Sequence, residues 1–317
     1  MATAPGKIIL FGEHAVVYGR PAIAAPVSQL RATAVIKPTS QPGIRLIAPD
    51  LNTDVWLSSL PDDDALALAV RQVKQAADLS TLPDISITVT SQIPIASGLG
   101  SGAAIAAAVI RALAQFLDLP NLQGNEKVSK LTYEVEKIHH GTPSGIDNTV
   151  VSFEQPIYFV RQQPQNLIEP FVVKRPLHLL IGDTGVRSST RNAVLDVRRQ
   201  WEADRNRFET FFDACGHITQ SARTTIEQGD IAQLGQLMKE NHSWLQKMTV
   251  SSPELDTLVT AAVDAGALGA KLSGAGRGGN MIALVDEGME TAVSNALLTA
   301  GAHVVLTTTI QQNHDSI

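Results

Sequence analysis

Alternating and continuous apolar runs mark the strands of this chain. Apolar residues fill every second position from Ile85 to Val89, which predicts a half-buried strand over 85–90. Other short runs rich in apolar residues indicate further strands. They lie at 7–11, 22–27, 30–37, 147–153, 157–160, 177–181, 270–273, 281–285 and 303–309.

Helical spacing of apolar residues predicts several helices between these strands. The carboxylates of Asp62, Asp63 and Asp64 suit a helix N-terminus, because they lie near the positive end of the helix dipole. The predicted helices cover 65–76, 103–117, 125–137, 190–225, 230–248, 253–265 and 288–300. Strands and helices mixed in this way, with hairpin-like connections, indicate an α+β fold.

Length and composition indicate the number of domains and the broad class. The 317 residues exceed a typical single core and the composition changes near 164–176, so we expect domains over 1–170 and 171–317. A net charge of −6 and an aromatic content of 4% argue against a nucleic-acid-binding protein. We find neither a secretory signal pattern nor an apolar stretch of the ~18 residues that span a membrane, and we therefore expect a cytoplasmic protein. The lone Cys215 excludes an intramolecular disulfide and indicates a small apolar residue on a helix.

A glycine- and serine-rich segment follows the strand predicted over 85–90. It reads Pro94-Ile95-Ala96-Ser97-Gly98-Leu99-Gly100-Ser101-Gly102-Ala103-Ala104 and leads into an apolar helix. A strand, a glycine loop and a helix N-terminus together often bind phosphate, because free N–H groups and the helix dipole both attract an anion. The spacing matches neither the Walker A motif nor the dinucleotide fingerprint. An ordinary glycine turn before a core helix is the alternative interpretation.

Charged residues in three other segments suggest chemistry. Lys7 enters a predicted strand, where its charge needs a partner such as a phosphate or a carboxylate; an edge-strand lysine is the alternative. Glu136 ends a predicted helix, where a bound cation would offset its unfavourable place in the helix dipole. Asp147 heads an apolar run, and Lys7 is the natural candidate to balance its charge.

A second glycine loop at 274–279 follows Lys271, and an ordinary hairpin turn is the alternative interpretation. Two glycine loops, a lysine and two carboxylates in one chain together favour phosphoryl transfer.

These motifs resemble those of the galactokinase–homoserine kinase–mevalonate kinase–phosphomevalonate kinase (GHMP) superfamily. Three superfamily motifs occur in order: Pro5-Gly6-Lys7, Pro94-x-x-x-Gly98-Leu99-Gly100-Ser101 and Lys271-Leu272-Ser273-Gly274-Ala275-Gly276. Within the superfamily, segments 11–19 and 136–148 resemble the opening and the catalytic segment of the mevalonate kinases. Arg277 departs from the third motif, where the family usually has glycine.

The resemblance implies a fold and a reaction. The fold would have two domains, the N-terminal one like domain 2 of ribosomal protein S5 and the C-terminal one ferredoxin-like with extra helices. The reaction would be the ATP-dependent phosphorylation of the C5 hydroxyl of (R)-mevalonate, with Mg²⁺ as cofactor, in the mevalonate pathway of isoprenoid biosynthesis. Small molecules are the expected partners, and a homodimer is left open.

The resemblance also implies a role for each matching residue. Asp147 would act as base or orienter for the acceptor hydroxyl, and Lys7 would pair with Asp147 and stabilise developing charge. Ser101 and Glu136 would coordinate Mg²⁺. The residues expected to bind ATP are Pro94, Ser97, Gly98, Leu99, Gly100, Ser101, Gly102 and Ala103. Those expected to bind the substrate are Lys7, Glu13, His14, Asp147, Thr184, Gly274 and Ala275.

Two other functions remain open from sequence. One is another enzyme of the superfamily, acting on phosphomevalonate or on a sugar. The other is a non-catalytic sensor, which is disfavoured because Lys7, Ser101, Glu136 and Asp147 are all present. The Arg277 side chain would either pair with an anion or point into solvent, and we favour solvent.

Overall fold

Two compact units divide the chain. The structure is a computed structural model that describes residues 1–94, 98–140, 143–187 and 189–311, with the side chains of 138–140 left out. The first unit contains Met1–Lys7, Val27–Ile95 and Leu99–Glu154, and the second contains Ile8–Pro26, Ala96–Gly98 and Gln155–Ile317. The chain therefore passes between the units more than once. The boundary expected between residues 170 and 171 stays a prediction.

A sheet and the helices beside it make up the first unit. Strands β1 (Ala2–Phe11) and β2 (Pro21–Pro38) contribute residues to both units. The remaining strands of the first unit are β3 (Ile44–Ala48), β4 (Thr53–Trp56) and β5 (Ile85–Ser91). The second half of β2 pairs antiparallel with β5, β5 pairs parallel with β3, and β3 pairs antiparallel with β4. The helices are α1 (Ala65–Ala76), α2 (Ser101–Phe116), α3 (Asn125–His140) and α4 (Ile146–Phe153).

An antiparallel sheet and a set of helices form most of the second unit. The first half of β2 pairs with β6 (Ile157–Val160), and β6 pairs with β7 (Leu167–Pro170). The second sheet consists of β8 (Leu177–Asp183), β9 (Gly269–Ser273), β10 (Asn280–Val285) and β11 (Val304–Ile310), in the order β11-β8-β10-β9. The helices are α5 (Thr190–Ala203), α6 (Arg205–Gln228), α7 (Ile231–Lys247), α8 (Pro253–Asp264) and α9 (Glu290–Thr299).

Aromatic residues of α6 lie at the centre of the second unit's core. Phe208 and Phe212 are buried, and Tyr18 stacks on Phe212 with ring centroids 4.1 Å apart. Cys215 is buried on the same helix, which confirms the structural cysteine predicted from sequence. Burial raises the pKa of its thiol to about 12, so the thiol stays protonated at neutral pH.

The segment 147–153 is a helix, and the strand predicted there is wrong. Gly145 takes a φ of 94° and α4 begins directly after it, while the hydroxyl of Thr149 donates to the Gly145 carbonyl at 2.6 Å. Most residues of α4 are buried. A short apolar run that is buried on several sides fits a strand and a helix equally well, so periodicity could not decide between them. Asp147 therefore lies in the first turn of a helix.

Other elements differ from expectation in smaller ways. A single long strand, β2, replaces the two strands predicted at 22–27 and 30–37. The helical segments predicted over 190–225 are α5 and α6, which separate where the Asp204 side chain accepts a hydrogen bond from the Arg207 N–H and caps α6. Strands β3, β4 and β7 are short and mix charged or proline residues with apolar ones, and they were not predicted. None of the helices in the described ranges combines the length and the apolar character that crossing a membrane requires.

Candidate active site

A buried lysine and an aspartate pair in the first unit. Lys7 lies on β1, and its Nζ is 3.0 Å from Oδ1 of Asp147, with the two side chains 8% and 28% exposed. The charge of a buried lysine needs a partner, and the carboxylate also suits the first turn of α4 because of the helix dipole. The Lys7 N–H donates to the Leu99 carbonyl at 2.9 Å, which joins β1 to the glycine loop. The pairing expected from sequence is thus present, and we call these residues with the loop the Lys7 cluster.

The glycine loop approaches Lys7 closely. Gly100 has a φ of 74°, and a Cβ added to it would lie 2.8 Å from Lys7 Cγ. The helix α2 starts at the next residue, Ser101, and Gly100 has no side chain with which to cap its first N–H groups. Those N–H groups and the helix dipole suit an anion. Pro94, Gly98, Leu99, Gly102 and Ala103 are described around this turn, whereas Ser97 lies outside the described residues.

The buried carboxylate of Glu136 lies close to the N-terminus of α2. It lies in the last turns of α3, and a Cβ added to Gly102 would be 3.4 Å from its Oε1. Its carboxylate is therefore next to the first turn of α2, which begins with Ser101. In the described ranges, no three His, Cys, Asp or Glu side chains gather as a metal cage. One carboxylate and one hydroxyl nevertheless fit Mg²⁺, which commonly takes one or two protein ligands together with phosphates and water.

His14 forms a second cluster, which lies in the second unit. Its Nε2 is 3.0 Å from the carbonyl oxygen of Ala275, so Nε2 carries the proton and Nδ1 is the acceptor. Burial lowers the pKa of His14 to about 4; the Ala275 bond opposes this shift, and the Arg277 charge adds to it. The ring is therefore neutral at pH 7. Glu13, Ala275 and the adjoining loop 274–279 belong to this His14 cluster.

Thr184 forms hydrogen bonds with the glycine loop of the third motif. Its hydroxyl donates to the Gly279 carbonyl at 3.0 Å, and its N–H donates to the same oxygen at 2.9 Å. The Gly279 N–H in turn donates to the Val186 carbonyl at 2.9 Å. Gly274, with a φ of 91°, opens the loop. The structure thus brings the expected substrate residues Thr184, Gly274 and Ala275 to one loop assembly.

Lys271, the first residue of the third motif, is a functional candidate to which the sequence analysis assigned no role. It lies on β9 with its side chain fully buried, and its Nζ pairs with Glu13 and donates to the Leu272 carbonyl at 2.7 Å. A lysine within an otherwise apolar strand is the one available sign in the sequence. Glu13 is also fully buried, so its carboxylate faces the protein interior.

Comparison with known proteins identifies the family. The model of the GHMP kinases N terminal domain matches residues 65–155, and that of the GHMP kinases C terminal matches residues 222–303. A mevalonate kinase of Pyrococcus abyssi is 36% identical, covering 97% of this chain and 94% of the relative. The chain belongs to the mevalonate kinase family. The crystal structure of L. major mevalonate kinase in complex with R-mevalonate has a TM-score of 0.86 at 30% identity, covering 98% of this chain and 95% of that one.

Membership of the mevalonate kinase family settles the fold and the enzyme class. The α+β architecture with two GHMP kinase domains is confirmed, and the chain is a phosphotransferase. A mevalonate kinase of Aeropyrum pernix, at 35% identity over 90% of this chain and 89% of its own, supports the same assignment. The roles of individual residues are proposed below.

Arg277, which departs from the family's third motif, makes specific contacts. Its guanidinium pairs with Asp196 on α5, and its Nε donates to the Thr249 carbonyl at 3.2 Å. Its φ of 59° explains why glycine is usual at this position. The expectation that this side chain simply points into solvent is corrected, because it joins the loop to α5.

We expect Arg277→Gly to leave the KM for ATP within about twofold of the wild-type value, because the guanidinium already has protein partners. The lost surface ion pair and the relieved backbone strain are each worth about 1 kcal/mol and offset one another, so Tm changes little. Asp196→Asn is the matched control, since it removes only the partner charge. A several-fold rise in the ATP KM in Arg277→Gly alone would instead assign Arg277 a nucleotide contact.

We expect His14 to make folding stability depend on pH. The unfolded chain binds a proton at His14 below about pH 6.5, whereas the folded protein does so only near pH 4. The contribution of the neutral His14 to folding stability is therefore fully present above the His14 pKa of the unfolded chain, about 6.5. It is lost as the pH falls toward the His14 pKa of the folded protein, about 4. The free energy of unfolding should fall by about 2 kcal/mol from pH 7 to pH 5 on account of His14. Urea unfolding at both pH values, with His14→Gln as control, measures this; equal pH dependence in both proteins contradicts it.

Proposed function

We propose that the chain transfers the γ-phosphoryl group of ATP to the C5 hydroxyl of (R)-mevalonate, giving 5-phosphomevalonate and ADP for isoprenoid biosynthesis. The observation that carries this proposal is the Lys7–Asp147 pair beside the glycine loop and the start of α2. Phosphoryl transfer needs a cradle for phosphate, neutralisation of charge and a group that positions the attacking hydroxyl. The Lys7 cluster contains a residue suited to each of these tasks.

Asp147 is proposed to receive the hydrogen bond of the C5 hydroxyl and to take its proton as the bond to phosphorus forms. A carboxylate is a suitable acceptor in a transfer with a loose transition state, where the hydroxyl needs orientation more than strong activation. Lys7 fixes the orientation of that carboxylate through its 3.0 Å contact. Its positive charge also opposes the negative charge that develops on the transferring oxygens.

The glycine loop is proposed to bind the ATP phosphates. The N–H groups at the start of α2 are directed along the helix axis and carry its positive dipole end. Ser101 and Glu136 are proposed to hold Mg²⁺, which would neutralise phosphate charge when bound. The Glu136 carboxylate lies against the first turn of α2, within van der Waals reach of a Cβ at Gly102.

The His14 cluster is proposed to recognise mevalonate. Because Nε2–H of His14 is engaged by the Ala275 carbonyl, Nδ1 is left as an acceptor for a substrate hydroxyl. Thr184, Gly274 and Ala275 are proposed to line the same substrate region. The proposal includes a cytoplasmic location, and a homodimer is left open.

We expect an assay of ADP release with MgATP to show turnover with mevalonate and only background with phosphomevalonate, galactose or homoserine. Mevalonate, galactose and homoserine offer a hydroxyl nucleophile, whereas phosphomevalonate offers a phosphate oxygen, and the four acceptors differ in the groups that the substrate region must recognise. Turnover with another acceptor and none with mevalonate would retain the phosphoryl-transfer chemistry and reject the proposed substrate. The absence of turnover with all four would reject the proposed function.

Glu136→Gln is expected to raise the Mg²⁺ concentration needed for half-maximal activity by about tenfold or more, because an amide is a weaker ligand than a carboxylate. Titration of activity with Mg²⁺ at fixed ATP measures this change. Glu134→Gln is the matched control, since Glu134 lies on the same helix, half-exposed, and pairs with Lys137. An unchanged Mg²⁺ requirement in Glu136→Gln would remove Glu136 from the proposed metal site.

A further inference from the structure

The pair of Glu13 and Lys271 is the most deeply buried ion pair described in the second unit. Both side chains are fully buried, and Nζ of Lys271 also lies 5.8 Å from the ring centroid of Phe11. Removing two charges from water is costly, and a buried pair is often no more stabilising than apolar residues of similar size. Stability alone therefore gives little reason for these charges, and their position in the fold suggests another.

The turn that carries Glu13 is conformationally strained. Gly12 and His14, on either side of Glu13, have φ values of 92° and 58°. A Cβ added to Gly12 would lie 2.4 Å from the Pro21 carbonyl, so glycine is required there. A non-glycine residue in the left-handed region is strained and persists only where the surroundings fix it. The His14 backbone thus needs anchors on the adjacent residues.

The two residues of the ion pair are close in sequence to the two residues of the His14–Ala275 contact. Glu13 immediately precedes His14, and Lys271 lies on β9, which leads into the loop that carries Ala275. The Ser273 hydroxyl donates to the Ile9 carbonyl at 2.8 Å and joins the same two segments. A displacement of the turn relative to β9 would therefore break the Nε2 contact and release the ring.

We propose that Glu13 and Lys271 are positioning residues, whose buried ion pair fixes the turn 12–14 against β9 and so holds the His14 imidazole on the Ala275 carbonyl. Glu13 then acts through His14 and does not itself contact the substrate, which revises the expectation from sequence. The effect on catalysis rests on the proposed function, because His14 is the residue proposed to meet mevalonate. The effect on the His14 ring does not depend on it.

The kinetic test compares Glu13→Gln, Lys271→Met and the double variant. Each single variant should lower Tm, because it leaves one buried charge without its partner, and the double variant should regain most of the loss. We expect the KM for mevalonate to rise about tenfold or more in all three, with the KM for ATP unchanged, because orientation of the substrate contact is lost in each. The exposed ion pair of Arg45 and Asp54 provides the control. The double variant Arg45→Met with Asp54→Asn should change neither the KM for mevalonate nor the KM for ATP.

Two kinetic outcomes would overturn the proposal. If Glu13→Gln and the double variant raise the mevalonate KM while Lys271→Met does not, Glu13 contacts the substrate directly. If the double variant regains both Tm and the wild-type mevalonate KM, the pair has only a structural role.

A titration of His14 by NMR tests the positioning without any substrate. The pair is neutral as a whole, so its removal leaves the pKa of His14 near its low value of about 4 unless the ring moves. We expect that pKa to move toward 6.5 in the double variant, with the signal assigned by His14→Gln. An unchanged His14 pKa in the folded double variant would overturn the proposal. A wild-type protein without mevalonate kinase activity would reject the proposed function and leave this titration as the test of the pair.

Discussion

Replacement of Asp147 by asparagine is expected to lower kcat by about 10³-fold or more while ATP still binds, because a positioned acid–base group contributes about 10²–10⁴-fold. Asparagine keeps the size of the side chain, and its amide cannot accept the hydroxyl proton. The Lys7 ammonium also loses its 3.0 Å carboxylate partner, so charge neutralisation and hydroxyl orientation are disturbed together. Steady-state kinetics with mevalonate and calorimetric ATP binding together measure the two parts of this prediction.

Asp196→Asn is the matched control for Asp147→Asn. Both aspartates have side chains that are 28% exposed and both pair with a cation, yet Asp196 lies on α5 and contacts Arg277. Asp196→Asn should retain near-native kcat, because it removes only the partly exposed ion pair with Arg277. A near-native kcat in Asp147→Asn would remove Asp147 from the reaction. Equal losses in both variants would show a general effect of lost ion pairs instead.

Gly100→Ala is expected to lower kcat/KM by about 10²-fold, because the added methyl group displaces the side chain that carries the Lys7 ammonium. The new Cβ would lie 2.8 Å from Lys7 Cγ and 3.3 Å from Cε. The flexible lysine can move aside, so the protein folds, but its Nζ then leaves the position that pairs with Asp147. The substitution should therefore slow catalysis and also disturb the arrangement of the phosphate loop.

Gly98→Ala separates this displacement from backbone strain. Gly98 and Gly100 have similar φ values of 81° and 74°, so alanine is strained at both by about 1 kcal/mol. The described residues leave open space around a Cβ at Gly98. Gly98 belongs to the same proposed phosphate loop, so we expect Gly98→Ala to lower kcat/KM as well, but clearly less than Gly100→Ala does at equal protein concentration and folded fraction. Similar losses in the two variants would mean that strain in the loop, and not contact with Lys7, is responsible.

The sequence predicted those features that local pattern determines. The alternation in β5 is reproduced residue by residue, and Asp147 is one of the two kinds of partner, phosphate or carboxylate, that were expected for a lysine in a strand. The helix α4 was mistaken for a strand, because a short run that is buried on several sides has no distinctive period. Its true form places the Asp147 carboxylate at a helix N-terminus, where the dipole favours it.

Contacts between distant parts of the chain could not be predicted. Glu13 and Lys271 are separated by 258 positions, and nothing in the local sequence of either states which residue will meet it. Glu13 therefore resembled a substrate ligand, although its side chain is buried against β9. Arg277 posed the same problem, because its partner Asp196 lies on a helix 81 positions earlier. Such pairs depend on tertiary packing and are visible only in the folded chain.

Identification of the product by ³¹P NMR tests most directly the claim that the Lys7–Asp147 pair serves phosphoryl transfer to mevalonate. The wild-type protein, MgATP and (R)-mevalonate should give ADP and a phosphomonoester whose phosphorus signal is split by the two C5 protons. Asp147→Asn should give neither within the same time. Formation of inorganic phosphate in place of the ester, or an equal yield of ester from Asp147→Asn, would contradict the account.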